Sequence, residues 1–211
     1  MYELLTAATS NGMRPAIMLA ECGLAHRLSL IDLGRGDQRT PAFLAIHPSG
    51  HIPVLLDEKA GLVLTESMAM LIHLAEASGF GLPSAGNARA RVLEGVAHAM
   101  TDVYVPYAAL FYLRDDKAAS PTTADLYEGL LRRALGVVDR RLSDAAWLAG
   151  EAFSIADITL YPTMLRISAV LKLDFPDLPH LGRWRAAMAA RPGVQRGATL
   201  TSAVPWPGLT S

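Results

Sequence analysis

The residues best placed to do chemistry in this chain lie between His47 and Ser67, in the stretch HPSGHIPVLLDEKAGLVLTES. Ile52-Pro53 stands at the entry to the apolar run VLL, where a proline's missing N–H does least harm to a strand. A cis bond there would turn the Ile52 N–H and C=O outward, to pair with an extended peptide ligand as an added strand does. Further along, Glu66 and Ser67 open the helical run SMAMLIHLAEAS. A free helix N-terminus offers unpaired N–H groups and a partial positive charge, so a ligand carboxylate can sit there. A backbone clamp and an anion site on one hairpin suit a small, charged peptide. The competing structural account is a buried hairpin followed by an ordinarily capped helix.

Several elements must hold these residues in place. Residues 2–7 read as a first strand, and Ala8-Thr9-Ser10-Asn11-Gly12 is a turn cluster. A helix is expected from about Met13 to Cys22, with Pro15 in its first turn and Gly23 just past its end. Leu28, Leu30 and Leu33 mark a second strand, which makes a parallel βαβ unit with a right-handed crossover. A polar loop follows at 34–40, then a short helix at 41–46, then the hairpin around Pro53 and the helix opened by Glu66. The fold expected for residues 1–79 is therefore an α/β domain.

Residues 80–86 form a linker rich in Gly and Pro, and nothing after them reads as a strand. Residues 87–211 are expected to be all-helical. A long pattern runs to Leu113 with Pro106 as a kink point. The next helix, 122–142, carries Leu126, Leu130, Leu131, Leu135, Val138 and Leu142 on one stripe. Ser154-Ile155-Ala156-Asp157 is a capping-box pattern, with Phe153 and Ile158 placed as its staple. The helix behind it is apolar nearly all round and belongs at the centre of this half. A last helix carries Leu181, Trp184 and Met188 and stops at Arg191-Pro192-Gly193, leaving an irregular tail.

Composition narrows the function classes. Among 211 residues, 19 basic and 20 acidic side chains nearly cancel, and no basic cluster is interleaved with aromatics. That argues against a nucleic-acid partner. No apolar run is long enough to span a membrane and no secretory signal is evident, so a cytoplasmic protein without a membrane partner is expected. One cysteine, Cys22, excludes an internal disulfide and fits a reducing compartment. With a hydrophobic content of 51%, the chain can bury one good core or two modest ones.

Three elements, in this order and spacing, carry a family resemblance: Gly50-His51-Ile52-Pro53-Val54-Leu55, then Leu64-Thr65-Glu66-Ser67, then Phe153-Ser154-Ile155-Ala156-Asp157. The whole chain resembles a cytosolic glutathione S-transferase, a thioredoxin-like α/β N-terminal domain followed by an all-α helical domain. Its turn Thr9-Ser10-Asn11-Gly12 and its loop Gly36-Asp37-Gln38 look most like bacterial members that use Thr and Asn instead of Tyr. The resemblance implies that glutathione is the peptide ligand, as co-substrate. It implies that Ile52, beside Pro53, pairs with the cysteinyl backbone, and that Glu66 and Ser67 hold the γ-glutamyl end. His51 stands where many members place a Lys that reaches the glycyl carboxylate, and Gln38 is a second candidate for that end.

The nucleophile would be the thiolate, which an ordinary thiol of pKa about 8.5 supplies only sparingly at neutral pH. Thr9, Ser10 and Asn11 precede the first helix, where side-chain donors, backbone N–H groups and the helix dipole can converge on a sulfur. Thr9 leads, because it lies five residues before Arg14 as the catalytic hydroxyl does in similar sequences. Ser10 and Asn11 are rivals, and either can instead be the helix cap. Cys22 reads as a core residue. His26, His47, His73, His98 and His180 are scattered, so no metal site is expected. The sequence Gly12 to Arg14 does not extend to a phosphate-binding loop. Ser154 and Asp157 read as a structural cap.

Tyr104, Tyr107 and Phe111, together with Leu110 and Trp206, are candidates to line an apolar second-substrate pocket. The expected reaction is attack of the glutathione thiolate on an electrophilic small molecule. Glutathione-dependent disulfide reduction is the close alternative, and a non-catalytic binding module is the distant one. The resemblance also implies a homodimer.

Overall fold

The computed structural model describes residues 1–116, 118, 120–200, 203–205 and 207–210, so Trp206 lies outside the described residues. In chain order the elements begin with β1 (Tyr2–Thr6), α1 (Ser10–Cys22), β2 (His26–Leu30), α2 (Pro41–Ile46), β3 (Val54–Asp57), β4 (Leu62–Leu64) and α3 (Ser67–Ser78). They continue with α4 (Gly86–His98), α5 (Val105–Leu113), α6 (Pro121–Ser143), α7 (Ile155–Arg166), α8 (Pro179–Ala189), α9 (Pro192–Thr199) and β5 (Val204–Pro205). The chain divides into two units, Met1–Ser78 with Arg191–Ser211, and Gly79–Ala190.

The first unit is built on a sheet of order β4-β3-β1-β2-β5. β1 pairs parallel with β2 and antiparallel with β3, so α1 serves as the crossover that a parallel pair requires. The register sets Leu5 opposite Val54, and Leu4 opposite both Leu28 and Leu55. Because side chains alternate between faces, Leu5 and Val54 share one side, where they cluster with Ile31 and with Phe43 of α2. α1 contacts β1, α3 and α9, which explains why Ala16, Ile17, Met18 and Leu19 are all 0% exposed. Gly23 ends α1 in the left-handed region, donating to the Leu19 carbonyl, as its position predicts. Leu33 lies beyond β2 and is exposed, so the second strand is shorter than the leucine spacing suggests.

The C-terminal segment departs from expectation. Arg191-Pro192-Gly193 ends α8 but also starts α9, since proline is well suited to a first helical position. α9 returns to α1: Arg191 pairs with Glu21 through Nη2–Oε2 at 2.6 Å, and the Val194 N–H donates to Glu21 Oε1 at 3.1 Å. β5 then adds to β2 as a fifth strand. Residues 191–211 thus belong with the first unit, and the expected helical domain 87–211 ends at Ala190.

In the second unit, the helical pattern leading to Leu113 is interrupted over Ala99–Tyr104 by π-helical turns. Pro106 is the physical reason, since it has no N–H to continue the regular ladder and the preceding turns widen. α6 buries Leu131, Leu135, Val138 and Leu142, whereas Leu126, expected on the same stripe, is 59% exposed on the first turns. Every residue of α7 from Ile155 to Met164 is buried. Its start carries the full capping box, and Asp157 accepts from the N–H of Leu148 and Trp184 Nε1 as well as from Ser154. Burial pushes the Asp157 carboxyl up, against the pull of those donors. The Ile155 N–H also donates to the Gly81 carbonyl, tying the linker to this helix. Among the described residues, no helix is long and apolar enough to cross a membrane.

Candidate active site

The turn before α1 is clamped to the end of β1. Thr6 Oγ1 donates to the Gly12 carbonyl at 3.0 Å, and the Gly12 N–H donates to Thr9 Oγ1 at 3.0 Å. A Cβ on Gly12 would lie 2.2 Å from the Ala7 carbonyl oxygen, so only glycine permits this approach. Thr9 is therefore the helix cap, with extended φ and ψ, and α1 begins at Ser10 and not at Met13. The capping role falls to the residue expected to be catalytic, not to Ser10 or Asn11. The two roles are compatible. Thr9 Oγ1 accepts from the helix and its hydroxyl proton remains to donate elsewhere.

Ser10 is 2% exposed, and its Oγ lies buried with no hydrogen-bond partner among the described residues. Thr9 and Asn11 are half-buried and keep reachable surface. Arg14, one turn on, is wholly buried. Its Nη1 donates in a close contact to Asn11 Oδ1 and, at a longer 3.4 Å, to Ser67 Oγ on α3. Arg14 meets the Asn11 carboxamide at its oxygen and the Ser67 hydroxyl at a lone pair, and both groups are donors as well as acceptors. One buried cation thus joins the first turn of α1 to the start of α3 through two groups whose chemistry includes donation to an anion.

α3 starts at Ser67, one residue later than the sequence suggests. Glu66 precedes it with φ 68°, in the left-handed region, while its carbonyl accepts the first helical bond from Met70. A non-glycine residue held there costs on the order of 1–2 kcal/mol. Such strain is found where geometry serves a site. The Ile52-Pro53 bond is cis, and Val54 begins β3 immediately behind it.

The loop carrying Gln38 docks on the hairpin turn. Gly50 has φ 61°, and a Cβ there would stand 2.8 Å from the Gln38 carbonyl oxygen. Arg39 Nη1 donates to the Ser49 carbonyl at 3.2 Å. Gln38 Oε1 lies buried without a hydrogen-bond partner among the described residues. His51 is exposed, and its ring meets that of His47 edge-on, with centroids 6.2 Å apart. Burial, then the His51 charge, lowers the His47 pKa, while Glu66 raises it. His47, set aside as one of the scattered histidines, is thus a neighbour of this end of the site. The signal was present in its four-residue spacing from His51 across a Gly turn.

Cys22 is half-buried instead of a full core residue, with Sγ 3.3 Å from Ser78 Oγ, and burial raises its pKa. In the second unit, the rings of Tyr104 and Tyr107 lie 5.8 Å apart and those of Tyr107 and Phe111 6.3 Å apart. Tyr107 is buried, while Tyr104 and Phe111 are half-buried. Among the described residues, no group of three or more His, Cys, Asp or Glu side chains is placed to hold a metal ion.

Comparison with known proteins gives a consistent picture. Residues 10–77 match the glutathione S-transferase N-terminal domain, and residues 100–192 match the C-terminal domain. The chain is 30% identical to a disulfide-bond oxidoreductase, YfcG of Escherichia coli K12, over 92% of its own length and 93% of the relative's. It superposes with a TM-score of 0.88 on a glutathione transferase family member from Pseudomonas fluorescens solved with two glutathione bound, at 29% identity over 93% of this chain and 92% of that one. A glutathione transferase from Pseudomonas putida, solved with one glutathione disulfide per subunit, gives a TM-score of 0.88 at 28% identity, covering 95% and 91%.

Proposed function

The chain belongs to the glutathione S-transferase family, and on that footing we propose that it binds glutathione, ionises its thiol and directs the thiolate at a small-molecule electrophile. The observation that carries this is the buried Arg14 joining Asn11 in the first turn of α1 to Ser67 at the start of α3. Donors aimed from α1 hold the sulfur as an anion, and donors at α3 hold the γ-glutamyl carboxylate. Thr9 and Asn11 serve the sulfur, with Ser10 behind them. The Ile52 backbone beside Pro53 pairs with the cysteinyl residue, Glu66 takes the amine, and Gln38 and His51 serve the glycyl end. Tyr104, Tyr107 and Phe111 line the second-substrate pocket.

The reaction is a displacement. The thiolate forms a bond to the electrophilic atom, the leaving group departs with its electron pair, and the thiol proton has already gone to solvent. A disulfide acceptor runs the same step at sulfur, forming a mixed disulfide and releasing a thiolate. The oxidoreductase relative specifically favours this second function. Retention on immobilised glutathione, followed by turnover of a panel of carbon electrophiles and disulfides with glutathione, separates the two. Retention without turnover of any acceptor would mark a binding module.

A cytoplasmic homodimer is the proposed context. A single cysteine suits a reducing compartment. Exposed Leu62 and Val63 on β4 and Val105 on α5 are apolar surface that a partner subunit can cover.

A further inference from the structure

At the C-terminal end of α1, wholly within the first unit, the packing leaves a cavity. Ala16, Leu19, Ala20 and Gly23 recur at intervals of three, one and three residues, so they share one face of the helix. α9 packs on α1 through Gly197, where a Cβ would stand 2.4 Å from Ile17 Cα. Small side chains let the helices meet there and leave about 300 Å³ beside the contact, a space that Leu24, Leu28, His26 and Arg196 also line. Leu19 and Leu28 are buried and give it apolar walls. Its polar groups are few. Exposed Arg196 donates through Nη2 to the Ala20 carbonyl at 3.2 Å, and among the described residues no carboxylate pairs with it. The nearby Glu21 carboxylate is already engaged by Arg191 at 2.6 Å and by the Val194 N–H. The carbonyl end of a helix ordinarily repels an anion. Here the Leu19 carbonyl accepts from Gly23, the Ala20 carbonyl from Arg196, and the Leu24 carbonyl from His26 Nδ1 at 2.6 Å. Arg196 thus brings to an apolar cavity a positive charge that no described side chain answers.

We propose that this cavity is a second ligand site, which takes a small organic anion with an apolar or aromatic body and one carboxylate. The body lies against Leu19, Leu24 and Leu28, and the carboxylate accepts from Arg196. Apolar walls with one charged group to fix orientation are what a small-molecule pocket presents. The 13 residues of α1 span about 20 Å, so this ligand sits at the opposite end of the helix from Thr9 and Asn11. It uses none of the residues proposed to hold glutathione, and the inference does not rest on that reading. A neutral molecule of the same shape gains burial alone, and Arg196 disfavours a cationic one.

The test titrates the full chain with 3-phenylpropionate and with its neutral isostere 3-phenylpropionamide, followed by the amide resonances of the protein. Those of Gly23, Leu24 and Gly197 should move with the carboxylate and saturate at about 1 mM or below. The same resonances should require about fivefold more of the amide, the preference expected of one solvent-exposed charge pair. Arg196→Met should bring the two ligands within about twofold by weakening the carboxylate alone. Resonances of Gly23, Leu24 and Gly197 that stay fixed in the parent overturn the proposal, even if others move, because the ligand is then bound elsewhere. Equal affinities for the two ligands in the parent overturn it as well, and neither result needs a variant to fold. A preference that survives Arg196→Met, or a Met variant that weakens both ligands equally, also overturns it. Loss of glutathione binding would leave these outcomes unchanged, so failure of this site and failure of the glutathione site are read separately.

Discussion

Glu66 shows at the scale of one residue how the site departs from what folding alone would choose. Its φ of 68° would be free of strain in glycine, so Glu66→Gly should raise stability by about 1 kcal/mol in a denaturant melt. The same change removes the carboxylate proposed to hold the γ-glutamyl amine, so KM for glutathione should rise with a smaller effect on kcat. A variant that is both less stable and unchanged in KM would detach the strain from the site. At Asn11 the expected effect falls on the sulfur. Asn11→Asp keeps an oxygen for Arg14 but replaces the NH2 donor with an acceptor, and should raise the thiol pKa in the complex by about one to two units. Spacing from Arg14 put Thr9 ahead of Ser10 and Asn11 without showing what each of them touches. Which one caps the helix depends on the approach of Gly12 to Ala7, and Arg14 and Ser67 meet across 53 residues of chain. Neither is visible in a local pattern.

At the scale of elements, the start of α7 was the most legible feature, because a capping box is written within four consecutive residues. The structure adds what the pattern omits. Asp157 also satisfies the Leu148 N–H and Trp184 Nε1, so its loss strands donors that Ser154 does not serve. Ser154→Ala should cost on the order of 0.5–2 kcal/mol, as a lost cap does. Asp157→Ala should cost more, about 3–5 kcal/mol, because several buried donors lose their acceptor together. Denaturant melts with equal losses for the two variants would reduce Asp157 to a cap alone. The α4–α5 region was legible as helix, but not as π-helical turns, because Pro106 announces a fault without saying how the chain absorbs it. The α9 and β5 segments were missed for a related reason. Pro-Gly ends one helix and begins another with equal ease, and a two-residue strand has no period to detect.

For the whole molecule, acid is the condition that tests the sheet. Burial pushes Glu3 up, but the hydrogen bonds from Arg27 and Ser29 and the Arg27 charge outweigh it and leave its pKa lowered. Asp57 is likewise raised by burial and then lowered further by the Ala60 N–H, His73 and the Lys59 N–H. A carboxylate lowered in the folded state contributes stability that is present above its unfolded pKa of about 4 and is lost as pH falls through the folded value. Asp157, raised by burial, acts in the opposite sense. Stability should therefore decline below about pH 4, and Glu3→Gln should flatten that decline. An acid limb identical in parent and variant would remove Glu3 from this account. The proposed homodimer is checked by sedimentation at micromolar concentration, where a monomer would contradict it.

The central claim is that this protein holds the glutathione thiol as a thiolate. Ultraviolet absorbance of the thiolate, followed against pH in the complex with the parent protein and with Thr9→Ala, measures it directly. The parent should titrate about one to two units below the ordinary thiol value of about 8.5. Thr9→Ala should move the midpoint back up and lower turnover by about tenfold, with glutathione still bound at low pH. A parent complex whose thiol titrates like free glutathione would contradict the claim.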